Sequence, residues 1–569
     1  MKVNSLKTKI MKLIGRSQRL FGRNVGFILV FFLTNYFTMA WSLVRMDRIE
    51  VMIGYGFTLF LAAFFIAALL QLLRLPALIR LAKALLIMVC FVPFFIESFV
   101  MYNYKALIGA GIVNSLLETN SKEAIEFIRM YVGPQECVGL LLLAGMLAAG
   151  WRFHVLSRLR LSRRMQSRIL VVVLIASMGY AIRMTTVYTE FFFDDVLPIQ
   201  RAYAATSTAV KNIQAYHKLT AQLSKDIEIT ENHSKIKNIV FILGESTNRN
   251  HMHLYGYDLP NTPYLDEMNE KGEITVFRNV VSPHSTTIAV LSKLFTFCDH
   301  ESDKDWYEYN NLIDVMNAAG YKTHWLSNQE SSGLWGNVAQ IYAEHSTMHK
   351  FTRIRDSHDD YGILDEELFP LIDQAIAQKS PDRNFYVTHL MGGHGLYYNR
   401  YPYIFNKFTA ADIKMDTSEH NKEIIAQYDN ALYYNDYIVH GIIDKFRDEE
   451  TLVIYVPDHG EAVYDEGDAV AGHIEENPSR HMIEIPVIMW ASPSFKAKYP
   501  EKWAAIQAAA NRPYMTDDMI HTILDLAEIH TPEYNPEKSI VNDAFDASRP
   551  RIFNDLNYDT QILTGKNKE

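Results

Sequence analysis

Cysteine is nearly absent from this chain of 569 residues: there are three, Cys90, Cys137 and Cys298. Cys90 and Cys137 fall in or beside apolar runs, so the more polar remainder holds Cys298 alone and forms no internal disulfide. Basic charge is not in excess either. The formal net charge is −10 at pH 7, which gives no basic face to a nucleic acid. No internal repeat runs along the chain. What the chain does have is a sharp division. A mean hydropathy of −0.06 averages a strongly apolar first part with a remainder of ordinary soluble composition.

The apolar part predicts membrane spans, since about 20 apolar residues cross a bilayer. Five are expected: Val25–Val44, Val51–Leu73, Leu85–Tyr102, Cys137–Phe153 and Ile169–Val187. The basic stretch before Val25 also fits a signal peptide, but no small-residue cleavage site follows it and further apolar runs do. Basic clusters lie at the N-terminus, at Arg74, Arg80 and Lys83, and from Arg152 to Arg168. With five spans all three fall on one side, which by the positive-inside rule is the cytoplasm. The remainder is then outside the inner membrane. This divides the chain into a transmembrane domain at 1–187, a bridging helical linker at 188–235 and an α/β domain at 236–569.

From Ile236 onward strands and helices alternate, which predicts an α/β sandwich with a largely parallel sheet. The expected strands are Ile239–Leu243, Val276–Val281, Thr323–Leu326, Asn384–Thr388, Leu452–Val456 and Ile485–Trp490. The expected helices are Thr262–Lys271, Ile288–Phe297, Asn311–Ala319 and Lys422–Arg447. The charged tail after Asn557 reads as loose. Two strands end in the same way. Ile239–Leu243 runs into Gly244 and Glu245, and Leu452–Val456 into Pro457, Asp458 and His459. Acids and an imidazole at the C-terminal edge of a parallel sheet suit a divalent metal, zinc first. An Asp-His pair alone also fits a turn with a capping aspartate. A hydroxyl-rich segment, Ser282–Thr287, precedes the helix at Ile288, where a helix N-terminus favours an anion. Ser282, Ser285, Thr286 and Thr287 are all eligible nucleophiles on chemistry alone.

Glu245 in GES, the threonine in SPHSTT, DHGE at 458–461 and the later His473 together resemble the phosphoethanolamine transferases of Gram-negative envelopes, in the alkaline phosphatase/sulfatase superfamily. The resemblance spans nearly the whole chain and implies five membrane helices followed by a periplasmic sulfatase-like α/β domain. It selects Thr287 as the catalytic hydroxyl, with Glu245, Thr287, Asp458 and His459 as ligands of Zn2+. It assigns phosphate binding and proton transfer to His394 and His473. His389 is implied to bind metal or orient a ligand, and it fits a buried structural histidine equally. Glu461 is implied to support the site or hold a further metal. Among substrate-binding positions, Thr119 and Glu123 in the third-to-fourth-span loop match in spacing, while Asn114 sits one residue early. Gln329 and Gly333 occupy places where lipid A-modifying relatives carry Asn and Lys. With the missing disulfides, this resembles the branch that modifies lipopolysaccharide core sugars.

The implied reaction takes phosphoethanolamine from phosphatidylethanolamine to an envelope glycolipid through a phosphothreonine-type intermediate, at the bacterial inner membrane, by a monomer with no nucleic-acid partner. Rival readings are a phosphoglycerol transferase of the same superfamily, a plain phosphodiesterase, and a non-catalytic membrane sensor or assembly protein with a degenerate phosphatase fold. His251, His253, His284, His300 and His481 read as surface or structural residues, and Arg249 as ordering the loop after Glu245. The charge pattern makes a direct prediction about topology. An alkaline phosphatase reporter fused after Ile236 is expected to be active and one fused at Ser162 inactive; the reverse pattern refutes the periplasmic placement.

Overall fold

The structure is a computed structural model that describes residues 2–45, 49–73, 75–104, 106–109, 112–113, 168, 171–173, 175–179, 197–207, 210, 227–330, 338–353, 363–465 and 471–565. The chain divides into two compact units. One holds 1–113, 131–208 and 568–569, and the other 114–130 and 209–567.

In the first unit, three helices are described from the N-terminus: α1 (Lys2–Arg45), α2 (Ile49–Leu70) and α3 (Pro76–Tyr104). Each forms all or most of a stretch long and apolar enough to cross a membrane, 26 residues at Arg19–Val44, 23 at Val51–Leu73, which takes in the 3-10 turn Gln71–Leu73 after α2, and 28 at Pro76–Asn103. At about 1.5 Å per residue each exceeds the roughly 30 Å of bilayer hydrocarbon. The helices meet through Phe27, Ile28, Phe31, Ala63, Phe64 and Cys90. The expected fourth span, Cys137–Phe153, lies outside the described residues; of the fifth, 171–173 and 175–179 are described and helical. Glu97 of α3 is fully buried and accepts two hydrogen bonds from Arg201, at 2.7 and 2.6 Å, so neither charge lacks an opposite partner.

The second unit is built on a seven-stranded sheet: β1 (Asn238–Gly244), β2 (Ile274–Phe277), β3 (Lys322–Glu330), β4 (Met348–Arg353), β5 (Asn384–His389), β6 (Thr451–Pro457) and β7 (Val487–Ala491). Their spatial order is β2-β7-β6-β1-β5-β3-β4. β1 pairs in parallel with both β5 and β6, while β7 pairs antiparallel with both β6 and β2. The expectation of a largely parallel sheet therefore holds, with one reversed strand.

Both faces of the sheet are covered, which is why β1 and β6 are continuous apolar runs rather than alternating ones. Ile239, Phe241 and Leu243 enter one core together with Leu452, Ile454 and Val456. Val240 and Ile242 enter the other with Val453 and Tyr455. The first core is closed by α5 (Thr287–Leu294), α6 (Leu312–Ala318) and α7 (Val338–His345). The second is closed by α4 (Pro263–Glu270), α8 (Leu368–Ala377) and α9 (Glu419–Lys445). α9 starts where the Ser418 side chain accepts the Asn421 N–H. It buries Ile424, Tyr428, Leu432, Val439 and Ile443, the face the sequence predicts. Gly320 lies just past α6 with φ +88°, a left-handed conformation that glycine takes without a side-chain clash.

Of the tail after Asn557, the described residues 558–565 are not loose. Ile552–Phe553 pairs antiparallel with Leu556–Asn557, and the next residue, Tyr558, is 2 % exposed. Its hydroxyl donates to the buried Glu484 carboxylate at 2.5 Å. Charge density around this stretch hides an anchoring aromatic residue that burial reveals. Tyr558→Phe removes that donor and leaves a buried carboxylate oxygen one partner short, which costs about 1–3 kcal/mol. A lowered melting temperature in thermal unfolding is the expected result.

Candidate metal centre and nucleophile loop

Parallel pairing aligns the ends of β1 and β6, with Gly244 opposite Pro457. Glu245, Asp458 and His459, the residues immediately beyond, are thereby delivered to one place. All three are buried, and one ligand atom from each lies within 4.8 Å of the others. His459 Nε2 is 3.3 Å from Asp458 Oδ2 and 3.6 Å from Glu245 Oε1. Neither His459 Nε2 nor Asp458 Oδ2 has a hydrogen-bond partner.

The tautomer follows from the other ring nitrogen. His459 Nδ1 is 2.8 Å from the Gly460 carbonyl oxygen, which only accepts, so Nδ1 carries the proton and Nε2 offers its lone pair. A lone pair and two carboxylates facing one another in a buried site need a cation between them. Burial first, and the Asp458 charge second, hold the Glu245 carboxyl well above its ordinary range. Burial lowers the His459 pKa, against the opposing pull of Asp458. Two carboxylate ligands, one neutral imidazole and an adjacent hydroxyl are a donor set that fits tetrahedral zinc.

Hydrogen bonds fix these groups. Ser246 Oγ donates to Glu245 Oε1 at 2.7 Å, and the Ser246 N–H donates to Asp458 Oδ1 at 3.2 Å. The His459 N–H donates to the same Asp458 oxygen at 2.7 Å. Two close approaches exclude larger residues. A Cβ on Gly460 would lie 2.3 Å from the His481 carbonyl oxygen, and one on Gly392, at φ +46°, would lie 2.6 Å from the Glu245 carbonyl oxygen.

Thr287 is the first residue of α5, and its Oγ1 lies 3.4 Å from Glu245 Oε2. The His473 ring lies 4.1 Å from that of His459. His473 Nδ1 is 2.6 Å from Glu461 Oε2, and Tyr397 donates to Glu461 Oε1, also at 2.6 Å. Burial opposes charge on His473, but the carboxylates of Glu461, Asp458 and Glu475 together outweigh it and raise the pKa. His459, Glu461 and His473 form a second group of potential ligand atoms within 4.8 Å of one another.

His389 ends β5 as a buried residue whose Nε2 has no hydrogen-bond partner. Burial lowers its pKa to about 4, with Asp458 pulling the other way, so the ring is neutral at physiological pH. Gln329 lies on β3, which extends beyond the expected Leu326, and its Nε2 donates to the Leu390 carbonyl at 3.0 Å. Its side chain is thus tied to the loop after β5. His394 lies further along that loop, where Arg400 Nε donates to its carbonyl oxygen at 2.8 Å. Asn114, Thr119 and Glu123 lie outside the described residues.

Four carboxylates, two buried and two nearly so, escaped the sequence reading. Asp365 accepts the N–H groups of Met391 and Gly392, at 2.8 and 3.0 Å, and so holds the loop that carries His394. Glu475 holds the segment before Thr287: the Ser285 N–H donates to it at 2.7 Å and Thr286 Oγ1 at 3.1 Å. Asp465 pairs with His251 at 2.9 Å, and Asp429 pairs with the other His251 nitrogen at the same distance. Burial opposes the charge of His251, yet these two acids raise its pKa to about 10, so it is a structural imidazolium. Arg249 donates to the Val280 carbonyl at 2.9 Å and pairs with Glu484 at 3.4 Å, which ties the loop after Glu245 to its neighbours.

Comparison with known proteins gives the family and the fold. The sulfatase family model matches residues 237–529, and a model described as phosphoethanolamine transferase EptA/EptB matches 62–209. Phosphoethanolamine transferase EptC of Escherichia coli K12 is 30% identical over 321 residues, 55% of each chain. Phosphoethanolamine transferase CptA of Salmonella typhimurium is 31% identical over 316 residues, 54% of each chain. The chain thus spans about half the length of the curated relatives it matches. Among solved structures, the C-terminal periplasmic domain of EcEptC from Escherichia coli in complex with Zn superposes with a TM-score of 0.55 at 28% identity, over 61% of this chain and 99% of that one. The integral membrane lipooligosaccharide phosphoethanolamine transferase A of Neisseria meningitidis shares the fold, with a TM-score of 0.62 at 20% identity over 89% of this chain and 97% of that one.

If the buried cluster holds zinc, Asp458→Asn removes one of its charges and one of its ligands. The variant is expected to lose zinc on elemental analysis while its far-ultraviolet circular dichroism stays that of the wild type. Stoichiometric zinc in the variant refutes the assignment.

Proposed function

The chain belongs to the sulfatase family, and from that premise we propose that it transfers phosphoethanolamine from phosphatidylethanolamine to an envelope glycolipid, a lipopolysaccharide core sugar rather than lipid A. The observation that carries this reading is the Thr287 hydroxyl at the Glu245–Asp458–His459 cluster, 3.4 Å from Glu245. The names of the matched relatives and the second family model, at 62–209, support phosphoethanolamine as the group transferred. The core-sugar acceptor rests on Gln329 and Gly333 and on the lone Cys298.

In this reading Glu245, Asp458, His459 and Thr287 hold one zinc ion, which supplies the positive charge that acidifies the Thr287 hydroxyl and neutralises the phosphate. Thr287 Oγ1 attacks the donor's phosphorus as the phosphorus–oxygen bond to diacylglycerol breaks, and the departing oxygen takes a proton. The acceptor hydroxyl then attacks the phosphothreonine, loses its proton, and the Oγ1–phosphorus bond breaks in turn. His473 carries these proton transfers. Glu461 holds its Nδ1 proton and leaves Nε2 to give or take another. His394 binds the phosphate, and His389 and Gln329 line the substrate region with Asn114, Thr119 and Glu123. The proposed organisation is a five-helix membrane domain at 1–187, a linker at 188–235 and a periplasmic α/β domain at 236–569, acting as a monomer in the bacterial inner membrane.

Thr287→Ala is expected to abolish transfer, and Thr287→Ser to retain part of it because the hydroxyl survives. Wild-type protein given phosphatidylethanolamine without acceptor is expected to carry a phosphoethanolamine adduct on the peptide containing Thr287. An active Thr287→Ala enzyme, or lipopolysaccharide whose mass spectrum is the same with and without the gene, overturns the reading.

A further inference from the structure

We propose that Glu475 is a positioning residue that selects Thr287 from the four hydroxyls of the 282–287 segment, an inference that rests on the nucleophile assignment above. The carboxylate is only 10% exposed, and four donors converge on it. The Ser285 N–H and Thr286 Oγ1 share Oε1, at 2.7 and 3.1 Å. His284 Nδ1, at 3.1 Å, and Asn554 Nδ2, at 3.2 Å, share Oε2. Three of the four belong to consecutive residues, and the next residue is Thr287.

The arrangement sorts the hydroxyls. Ser282 Oγ donates to the His284 carbonyl at 2.7 Å, which folds it back into its own turn. Ser285 Oγ is buried and has no hydrogen-bond partner. Thr286 Oγ1 is taken by Glu475, and Thr287 Oγ1 faces Glu245. Thr286 is extended, with φ −130° and ψ 143°, and α5 begins at the following residue. With Thr286 held by Glu475, the chain turns into the helix so that Thr287 meets the metal cluster.

Glu475 also belongs to the segment that carries His473. It stands two residues after His473, whose ring lies 4.1 Å from that of His459. The short segment from His473 to Glu475 therefore carries a proton-transfer candidate at one end and the bracket for the nucleophile loop at the other. The C-terminal hairpin steadies this bracket. Asn554, at its tip with φ +51°, supplies one of the four donors, and the Phe553 ring lies 5.9 Å from that of His284. Glu475 touches no group of the metal cluster in these contacts; it acts through the backbone it holds.

The test compares full-length Glu475→Ala and Glu475→Gln with wild type. Misplacing a reacting group by about 1 Å costs roughly 100-fold in rate, so Glu475→Ala is expected to lose about that factor in kcat with KM and zinc content unchanged. Glu475→Gln keeps a carbonyl acceptor for Ser285 and Thr286 and is expected to recover much of the loss. A crystal structure of zinc-loaded Glu475→Ala is expected to show Thr287 Oγ1 displaced from Glu245. That readout does not depend on which group the enzyme transfers, so failure of the substrate assignment leaves it standing. Thr287 unmoved in the variant, turnover within twofold of wild type, or zinc lost along with turnover each overturns the proposal. If Glu475→Ala does not fold, Glu475→Met, which keeps the bulk and removes both acceptor oxygens, decides: wild-type zinc with kcat reduced at constant KM supports positioning, and wild-type kcat refutes it.

Discussion

Two carboxylates and an imidazole lone pair are held face to face in a dry site, and the rest of the second unit is arranged around that constraint. Such a cluster is unfavourable by itself, because burial penalises each charge and the charges repel. A divalent cation reverses both effects at once. The raised pKa of Glu245 and the unpartnered atoms of His459 and Asp458 are signs of the same unmet requirement.

The parallel sheet makes the convergence possible. β1 and β6 are neighbours in register, so residues that follow each strand emerge side by side at one edge. The apolar cores on the two faces hold those strands rigidly, and the loops beyond them carry the chemistry. Glycine at 392 and 460 lets backbone approach backbone where any larger residue would collide. The resulting site has little freedom to rearrange, which suits a centre that must hold a metal and present a hydroxyl to it.

Each loop at that edge has a buried or nearly buried acid beneath it. Asp365 takes the N–H groups of the loop with His394, Glu461 fixes the ring of His473, and Glu475 holds the segment before Thr287. Each anion is satisfied by hydrogen bonds from the loop it supports, so loop geometry and carboxylate burial stabilise one another. The structure therefore uses its acids in two ways, as candidate metal ligands at the centre and as hydrogen-bond anchors around it.

Sequence alone determined the features that depend on local pattern. Three helices of membrane length, the buried strand runs, the amphipathic face of α9 and the acids at two strand ends are all legible, because period and strand polarity set them. The motif set was enough to bring Glu245, Thr287, Asp458 and His459 together on paper, and these four lie together in the fold. Only the tertiary structure decided what depends on distant neighbours. The reversal of β7, the edge strand β4 and the anchored Tyr558 follow from packing against elements far along the chain. Glu475 shows the limit most clearly. It meets the Ser285 N–H across 190 positions, and nothing in its own surroundings separates it from the adjacent Glu476 until the fold buries it against that loop. Hydrogen bonds between residues so far apart leave no periodic trace in sequence, so which of the four hydroxyls faces the metal cluster was settled only by folding.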